Sequence, residues 1–304
     1  MSAAPRYDSV WLDAGGVSHN PREAPRRQRI ISLVPSLTET LCAVAGEARL
    51  VGITAFCIWP KNLLNEPRIA KVGGTKTVNR ERVLELNPDL LLVNLEENEL
   101  ADIDFFKSRV ECYVNGVKTA AQGIETVREL GALIGTSAIA EPLAEKAGAE
   151  LRAITSRVAD FRAAGGREPK VFYPIWRDPW MSISRDTFIH DHLKTCGAQN
   201  IFADKPGRYP EISLDEVLAA APDIVWLPSE PYHFKEKDAQ EISKLSALPA
   251  TQKGRIELVD GDNVCWFGAR QTEGLAYTFR ELWKRDPRMC ATGGLPTSAD
   301  RPKQ

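Results

Sequence analysis

Over residues 142–164 apolar side chains return every three or four positions (Leu143, Ala147, Leu151, Ile154, Val158, Phe161), the period that lays one apolar stripe along a helix. Gly165-Gly166 predicts its end. At about 1.5 Å per residue, about 23 residues reach about 35 Å, enough to carry the chain from one lobe to another. On both sides the pattern changes to short β-type runs alternating with helical stretches. Before the helix, strands are expected at 29–34, 50–54, 90–93 and 112–114, with helices at 36–45 and 79–86 and a loop over 57–77. Ser36, just after Pro35, is expected to cap the first helix. After the long helix, strands are expected at 170–173, 200–202 and 224–227, and helices at 186–196 and 214–218. Residues 1–28 read as loosely structured, with 9–12 able to add an edge strand.

The two halves share a grammar. Val83-Leu84 and Pro88-Asp89 return 134 positions later as Val217-Leu218 and Pro222-Asp223, each followed by a buried-type strand. The strand and helix before them return too, so the chain is expected to hold two related units. The predicted fold class is α/β: two Rossmann-like parallel-sheet lobes joined by one long helix, with a ligand cleft between the lobes. The expected divisions are an N-terminal extension (1–28), a first lobe (29–135), the connecting helix (136–166), a second lobe (167–285) and a flexible tail (286–304).

Length and composition narrow the function. With 304 residues, of which 43% are hydrophobic, there is material for two ordinary cores, and a net charge of -2 gives no polyanion-binding footprint. Nucleic acid is therefore not expected as a partner. No run of 18 apolar residues occurs, so no membrane span is expected. The first thirty residues carry charges and glycines where a secretory signal has an apolar segment, so a cytoplasmic location is expected. The six cysteines lie far apart without a CxxC pair, which suits reduced thiols, most of them small core residues.

In parallel sheets, ligands gather at the carboxyl ends of the strands. The first half places Ser36, Phe56, Glu96, Glu97 and Asn98 there, and the second half places Trp176, Arg177, Trp180, Tyr232, Phe234, Trp266 and Phe267. Tryptophan and phenylalanine concentrated in loops suit a site that grips a large flat or amphipathic molecule by area, with a few polar groups fixing its orientation. His190 and His192, two apart on one helix, point to different sides. His190 and His233 are the candidate metal ligands, and His192 reads as an ordinary surface or half-buried histidine. No local motif of a hydrolase, metalloprotease, phosphate-binding loop or dinucleotide fold is present, so no catalytic residue is assigned.

The segments RIISLVPSLTETL (29–41), LVGIT (50–54), Val72-Gly73-Gly74, Glu81 to Leu84 with Asn87-Pro88-Asp89, and CGAQNIF (196–202) resemble the helical-backbone (class III) substrate-binding proteins. Vitamin B12-binding and iron-chelate-binding members of ABC importers are the most similar kind, and the likeness covers roughly 29–285. The resemblance implies two α/β lobes on one rigid helix with ligand held between them. It implies that Trp180 packs on a corrinoid, that Trp266 and Phe267 form the opposite wall, and that Glu81 docks on a permease. Three departures stand out: Gly268 where the second docking glutamate is expected, Thr75 in place of a tryptophan, and the missing secretion signal. Glu96 to Asn98, 172–180 and 227–232 are similar to a cytoplasmic branch, the helical backbone metal receptors.

The leading expectation is a non-enzymatic binding protein for a metal chelate, cobalamin or another corrinoid or an iron chelate, with no obligatory cofactor and an ABC permease as the partner in doubt. In it the aromatic residues give contact area, while Arg177, Glu96, Glu97 and Asn98 hydrogen-bond the polar edges. Two alternatives are a zinc or manganese site built from His190, Asp186 and Glu96 or Glu97, and an enzyme processing a corrinoid or chelate in the cleft.

Overall fold

The computed structural model describes residues 7–290. The chain divides into two units. Unit 1 takes the chain up to Val117, Ala121–Gly148 and Phe267–Arg270; unit 2 takes Lys118–Ala120, Ala149–Trp266 and the chain from Gln271 on.

In unit 1, β1 (Trp11–Leu12) and β2 (Ser18–His19) form a small antiparallel hairpin. The main sheet comprises β3 (Ile30–Ser32), β4 (Leu50–Ile53), β5 (Ala70–Lys71), β6 (Leu90–Asn94) and β7 (Cys112–Asn115). Its order is β5-β4-β3-β6-β7 and all its pairings are parallel. Helices α1 (Pro35–Ala43), α2 (Arg80–Glu85), α3 (Leu100–Lys107) and α4 (Ala120–Ile134) alternate with the strands. The central strands β3 and β6 are buried throughout and apolar up to their last residues, Ser32 and Asn94, because both their faces are covered.

The long helix is α5 (Ser137–Ala163), 27 residues. It starts five residues before Pro142, whose preference for a first helical turn makes it look like the beginning. The chain changes unit within α5, at Gly148/Ala149. On the unit 1 side Ala140, Ala144 and Ala147 are buried, and beyond it Ile154, Val158 and Phe161 enter the core of unit 2. The amides of Gly165 and Gly166 return to the carbonyls of Arg162 and Phe161 at 2.9 Å each, closing the helix where the sequence placed its end.

Unit 2 contains β8 (Lys170–Phe172), β9 (Pro174–Trp176), β10 (Met181–Ser182), β11 (Gln199–Asn200), β12 (Ile224–Pro228) and β13 (Ile256–Val259). Its parallel sheet has the order β11-β8-β12-β13, and β9 pairs antiparallel with β10 beside it. Its helices are α6 (Phe188–Thr195), α7 (Leu214–Ala220), α8 (Glu236–Ser243), the single turns α9 (Pro249–Gln252) and α10 (Asp262–Cys265), α11 (Gln271–Trp283) and α12 (Pro287–Cys290). Chain packing continues past the expected start of a flexible tail at 286, because Met289 is buried in the core formed by Ile154, Phe279 and Trp283. The rest of that tail, from 291, lies outside the described residues.

The repeated Pro-Asp has one physical job in both units. Asp89 Oδ2 accepts the amides of Gln28 and Arg29 at 3.0 and 2.9 Å, while its own amide donates to Arg29 O at 2.7 Å. Asp223 Oδ2 accepts the amide of Lys170 at 3.0 Å, and its amide donates to Lys170 O at 2.8 Å. Each aspartate thus clips the start of one strand to the start of its neighbour. Asp223 also meets Arg167 and Lys253 at 2.8 and 2.7 Å. Burial alone would raise its pKa, yet these cations and the Lys170 amide hold its carboxyl well below the usual range.

Residues 7–28 are not loose. Asp13 Oδ2 accepts the amide of Val114 at 2.6 Å and the amide of Ala14 donates to Val114 O at 3.1 Å, so this segment covers the outer edge of β7. Its core is polar. His19 is fully buried between Asp13 (3.0 Å) and Glu111 (3.2 Å). Arg27, 2% exposed, donates to both oxygens of Glu111 and, at 2.9 Å, to Leu133 O.

Burial opposes charge on His19, but its two carboxylate partners outweigh burial and raise its pKa above 6.5. A raised folded pKa means that this stabilisation is complete below the unfolded value and is lost as pH rises through the folded one. The thermal midpoint is therefore expected to fall between about pH 6 and about pH 9, and to fall less in His19→Gln. Equal slopes in the two proteins would show that His19 contributes nothing.

Candidate functional site

A parallel sheet binds ligands where its strand order reverses, because there the loops leaving two neighbouring strands diverge and open a crevice. In unit 1 this point lies between β3 and β6; in unit 2 it lies between β8 and β12. Each unit supplies its own set of loops there.

In unit 1 the loop after β6 is braced by two asparagines. Asn94 Oδ1 accepts the amides of Glu96 and Glu97 at 2.7 and 3.0 Å. Asn98 Oδ1 accepts the amide of Asn94 at 2.9 Å, and its Nδ2 donates to Leu33 O and Thr75 O at 3.3 and 3.0 Å. Asn98 is buried, so its carboxamide ties three loops together instead of offering hydrogen bonds to a ligand, which corrects its expected role. Glu96 and Glu97, whose amides the turn fixes, are half-buried. After β4, Phe56 is 57% exposed and Ile58 is exposed next to it, with Cys57 buried between them. Cys57 accepts from Thr38 at 3.0 Å, and burial pushes its thiol up.

Ser36 departs from its expected role. Val34 occupies the cap position of α1 and Pro35 the first turn, so Ser36 lies inside the helix, buried, with its Oγ unbonded. Glu81 is exposed in the first turn of α2.

In unit 2 the two loops of the crevice form an aromatic series. Trp180 stacks on Phe234 with ring centres 5.8 Å apart and planes 9° apart. Phe234 meets Tyr232 at 4.7 Å, and Tyr232 meets Trp176 edge-on at 5.3 Å. The series begins in the core, where Phe234 is buried with Phe172 and Val217, and ends at Trp176, 46% exposed. Phe234 therefore supports the ladder from below, while Trp176, Tyr232 and Trp180 remain accessible in part.

Arg177 does not reach outward. Its guanidinium is gripped by Asp238 and Glu241 of α8 and lies 5.5 Å from the Trp180 ring centre. It holds Trp180 in place and is already supplied with carboxylates, in contrast to its expected role at a ligand's edge.

Trp266 and Phe267 are both buried, and the chain passes from unit 2 to unit 1 between them. They are packing residues, which corrects their assignment as an exposed wall. Trp266 bonds Glu230, a residue of the loop after β12 to which the sequence reading gave no role of its own.

The histidines do not assemble a metal site. His192 is fully buried with Nε2 2.9 Å from Thr278 Oγ1, and burial drops it to about 4. It is a core residue, not the surface or half-buried histidine expected. His190 lies 3.3 Å from Asn200 Nδ2, and burial, with Lys194 nearby, lowers its pKa. Asp186 is engaged by Lys118 and Arg208 at 2.7 and 3.0 Å. His233 is exposed, with Nδ1 3.3 Å from Ser229 O. Among the described residues no group of three or more His, Cys, Asp or Glu side chains is placed to hold a metal ion, so the zinc or manganese alternative has no ligand set there.

A parallel sheet in each unit, aromatic loops at a reversal point and one long shared helix define a ligand-binding protein of the two-unit α/β class. A profile of the periplasmic binding protein family matches residues 30–262, and the chain belongs to that family. It is 26% identical over 254 residues to the ABC transporter substrate-binding lipoprotein YvrC of Bacillus subtilis (strain 168), covering 82% of this chain and 77% of that one. It is 27% identical over 218 residues to the vitamin B12-binding protein of Salmonella typhi, covering 71% and 73%. Among solved structures, a periplasmic heme-binding protein from Pseudomonas aeruginosa shares the fold with a TM-score of 0.73 at 23% identity, over 85% of this chain and 93% of that one. Members of this family are substrate-binding proteins. Among the described residues no helix is long and apolar enough to cross a membrane.

Proposed function

We propose that this chain is a non-enzymatic receptor for a metal chelate built on a large flat ring, a corrinoid or an iron chelate. The observation that carries the reading is the ladder from Phe234 to the exposed Trp176 at the reversal point of unit 2. A flat ligand stacked on one of the two rings, Trp176 or Tyr232, meets the other at an angle and gains contact area without moving the core beneath them. The exposed Phe56 and Ile58 give unit 1 a similar apolar surface at its own strand ends. Vitamin B12-binding and heme-binding relatives support the ligand class.

Titration with cobalamin, haemin and ferric chelates, followed by visible absorbance and tryptophan fluorescence, tests the reading. Saturable binding of at least one is expected, and no response to any of them overturns it. Trp176→Ala is expected to weaken binding by about 1.4–2.8 kcal/mol, roughly tenfold to a hundredfold, without lowering the unfolding midpoint. A cytoplasmic location belongs to the same proposal; docking of Glu81 on an ABC permease is its alternative, since an importer's receptor meets the permease outside the cytoplasm. Cell fractionation tests the location, and recovery outside the cytoplasm refutes it.

A further inference from the structure

Resting on the chelate-binding reading, we infer that Glu230 and Asp262 make unit 2 select a neutral chelate with carboxamide edges and reject one with carboxylate edges. Glu230 stands in the loop after β12, two residues before Tyr232 of the aromatic ladder. Its backbone lies against Gly261, where an added Cβ would come within 2.5 Å of Glu230 N, so the glycine lets the β12 loop and the start of α10 press together. Gly261 N donates to Ser229 Oγ at 2.9 Å and fixes that contact.

Packing this close brings the half-buried Glu230 under the influence of the Asp262 carboxylate of α10, with Trp266 as its side-chain hydrogen-bond donor. Around the same point are Asp260 and Cys265, Tyr277 of α11 and Tyr173, between β8 and β9. The cationic side chain of the ladder, Arg177, is held by Asp238 and Glu241, away from this task.

Tyr173 adds an independent sign that a polar group belongs here. It is fully buried, its hydroxyl has no hydrogen-bond partner, and Glu230, Asp260, Cys265 and Tyr277 are the charged and titratable groups that face it. The wall thus offers carboxyl acceptors, with the unbonded Tyr173 hydroxyl buried beneath them. A carboxamide supplies N–H donors to such acceptors and carries no charge, which matches. A carboxylate supplies acceptors and negative charge only, and like charges brought together in a poorly solvated site repel strongly. Burial and the Asp262 charge push Glu230 up to about 7, against the lowering bond from Trp266, so discrimination should strengthen as pH rises through neutrality and relax below it.

Dicyanocobinamide, a neutral ring edged with carboxamides, and haemin, which carries two carboxylates, are the probes. Both are titrated into the wild-type chain, E230Q and D262N at roughly pH 8.5 and roughly pH 5.5, on either side of neutral carboxyl titration. The wild type is expected to favour the corrinoid at least about tenfold more strongly at the higher pH than at the lower. E230Q should show the smaller preference at both, and D262N, which removes the second charge without touching the bond to Trp266, should narrow the preference at the higher pH. A wild-type preference that does not change with pH, or an E230Q preference that follows the wild type's, overturns the inference while leaving chelate binding intact. Failure of both probes to bind the wild type at either pH instead removes the chelate-binding reading and this inference with it.

Discussion

Arg27→Met is expected to destabilise unit 1 by about 3 kcal/mol, the low end of what removing one partner of a buried ion pair costs. Methionine fills much of the same space, so the loss comes from charge and hydrogen bonding and little from packing. Without the guanidinium, Glu111 loses three hydrogen-bond contacts, and the carbonyl of Leu133 loses its donor at 2.9 Å. The low end applies because the Glu111 side chain is 32% exposed and water takes over part of the burden. His19 would then face Asp13 and Glu111 without the guanidinium beside it. Urea unfolding followed by circular dichroism measures the change. A loss below about 1 kcal/mol would mean that the polar core under the N-terminal segment is ornamental.

Gly268→Glu, which supplies the carboxylate that a permease-docking receptor would carry at that place, is expected to cost about 3–5 kcal/mol. Two causes add. Gly268 has φ +79°, a conformation that side-chain-bearing residues adopt at a cost, and an added Cβ would lie 2.1 Å from Thr40 Oγ1. Thr40 has little freedom to move, since its hydroxyl donates to Ser36 O at 2.7 Å and accepts from the amide of Ala269 at 3.0 Å. Gly268→Ala should carry most of the same penalty, because backbone and space set it and charge does not. Thermal unfolding of both variants decides this: midpoints near the wild type's would show that the site is free to take a side chain and that its glycine is incidental.

The parts of this molecule that hydrophobic periodicity governs were legible in the sequence. The α5 stripe, the strands β3, β6 and β12 and the repeated Pro-Asp clip follow from apolar spacing and turn chemistry, because both faces of each sheet are covered. The N-terminal segment was missed because what holds it is His19, Asp13, Arg27 and Glu111, and no hydropathy pattern marks a buried ion network. The candidate site was legible to the level of loops. Sequence placed Trp176, Trp180 and Tyr232 at the strand ends, but it could not tell that Phe234 and Trp266 face inward. Nor could it tell that Arg177 and Asn98 are spent on α8 and on loop carbonyls, since partners distant in sequence decide those roles. The pairing of Glu230 with Asp262 escaped for the same reason: 32 positions separate them, and a single glycine brings them together.

The two units trade short pieces of chain. Lys118–Ala120 belongs to unit 2, where Lys118 meets Asp186 and the Ala120 amide donates to Asp191 at 2.8 Å; Phe267–Arg270 belongs to unit 1, where Arg270 grips Glu39. A gene cut at the middle of α5 therefore does not yield two self-sufficient domains. Each half-protein would be synthesised without a small piece that its own fold uses, and would carry a piece suited only to the other. Co-expressed halves that recover their native shape while neither does so alone would make this scaffold a natural split reporter.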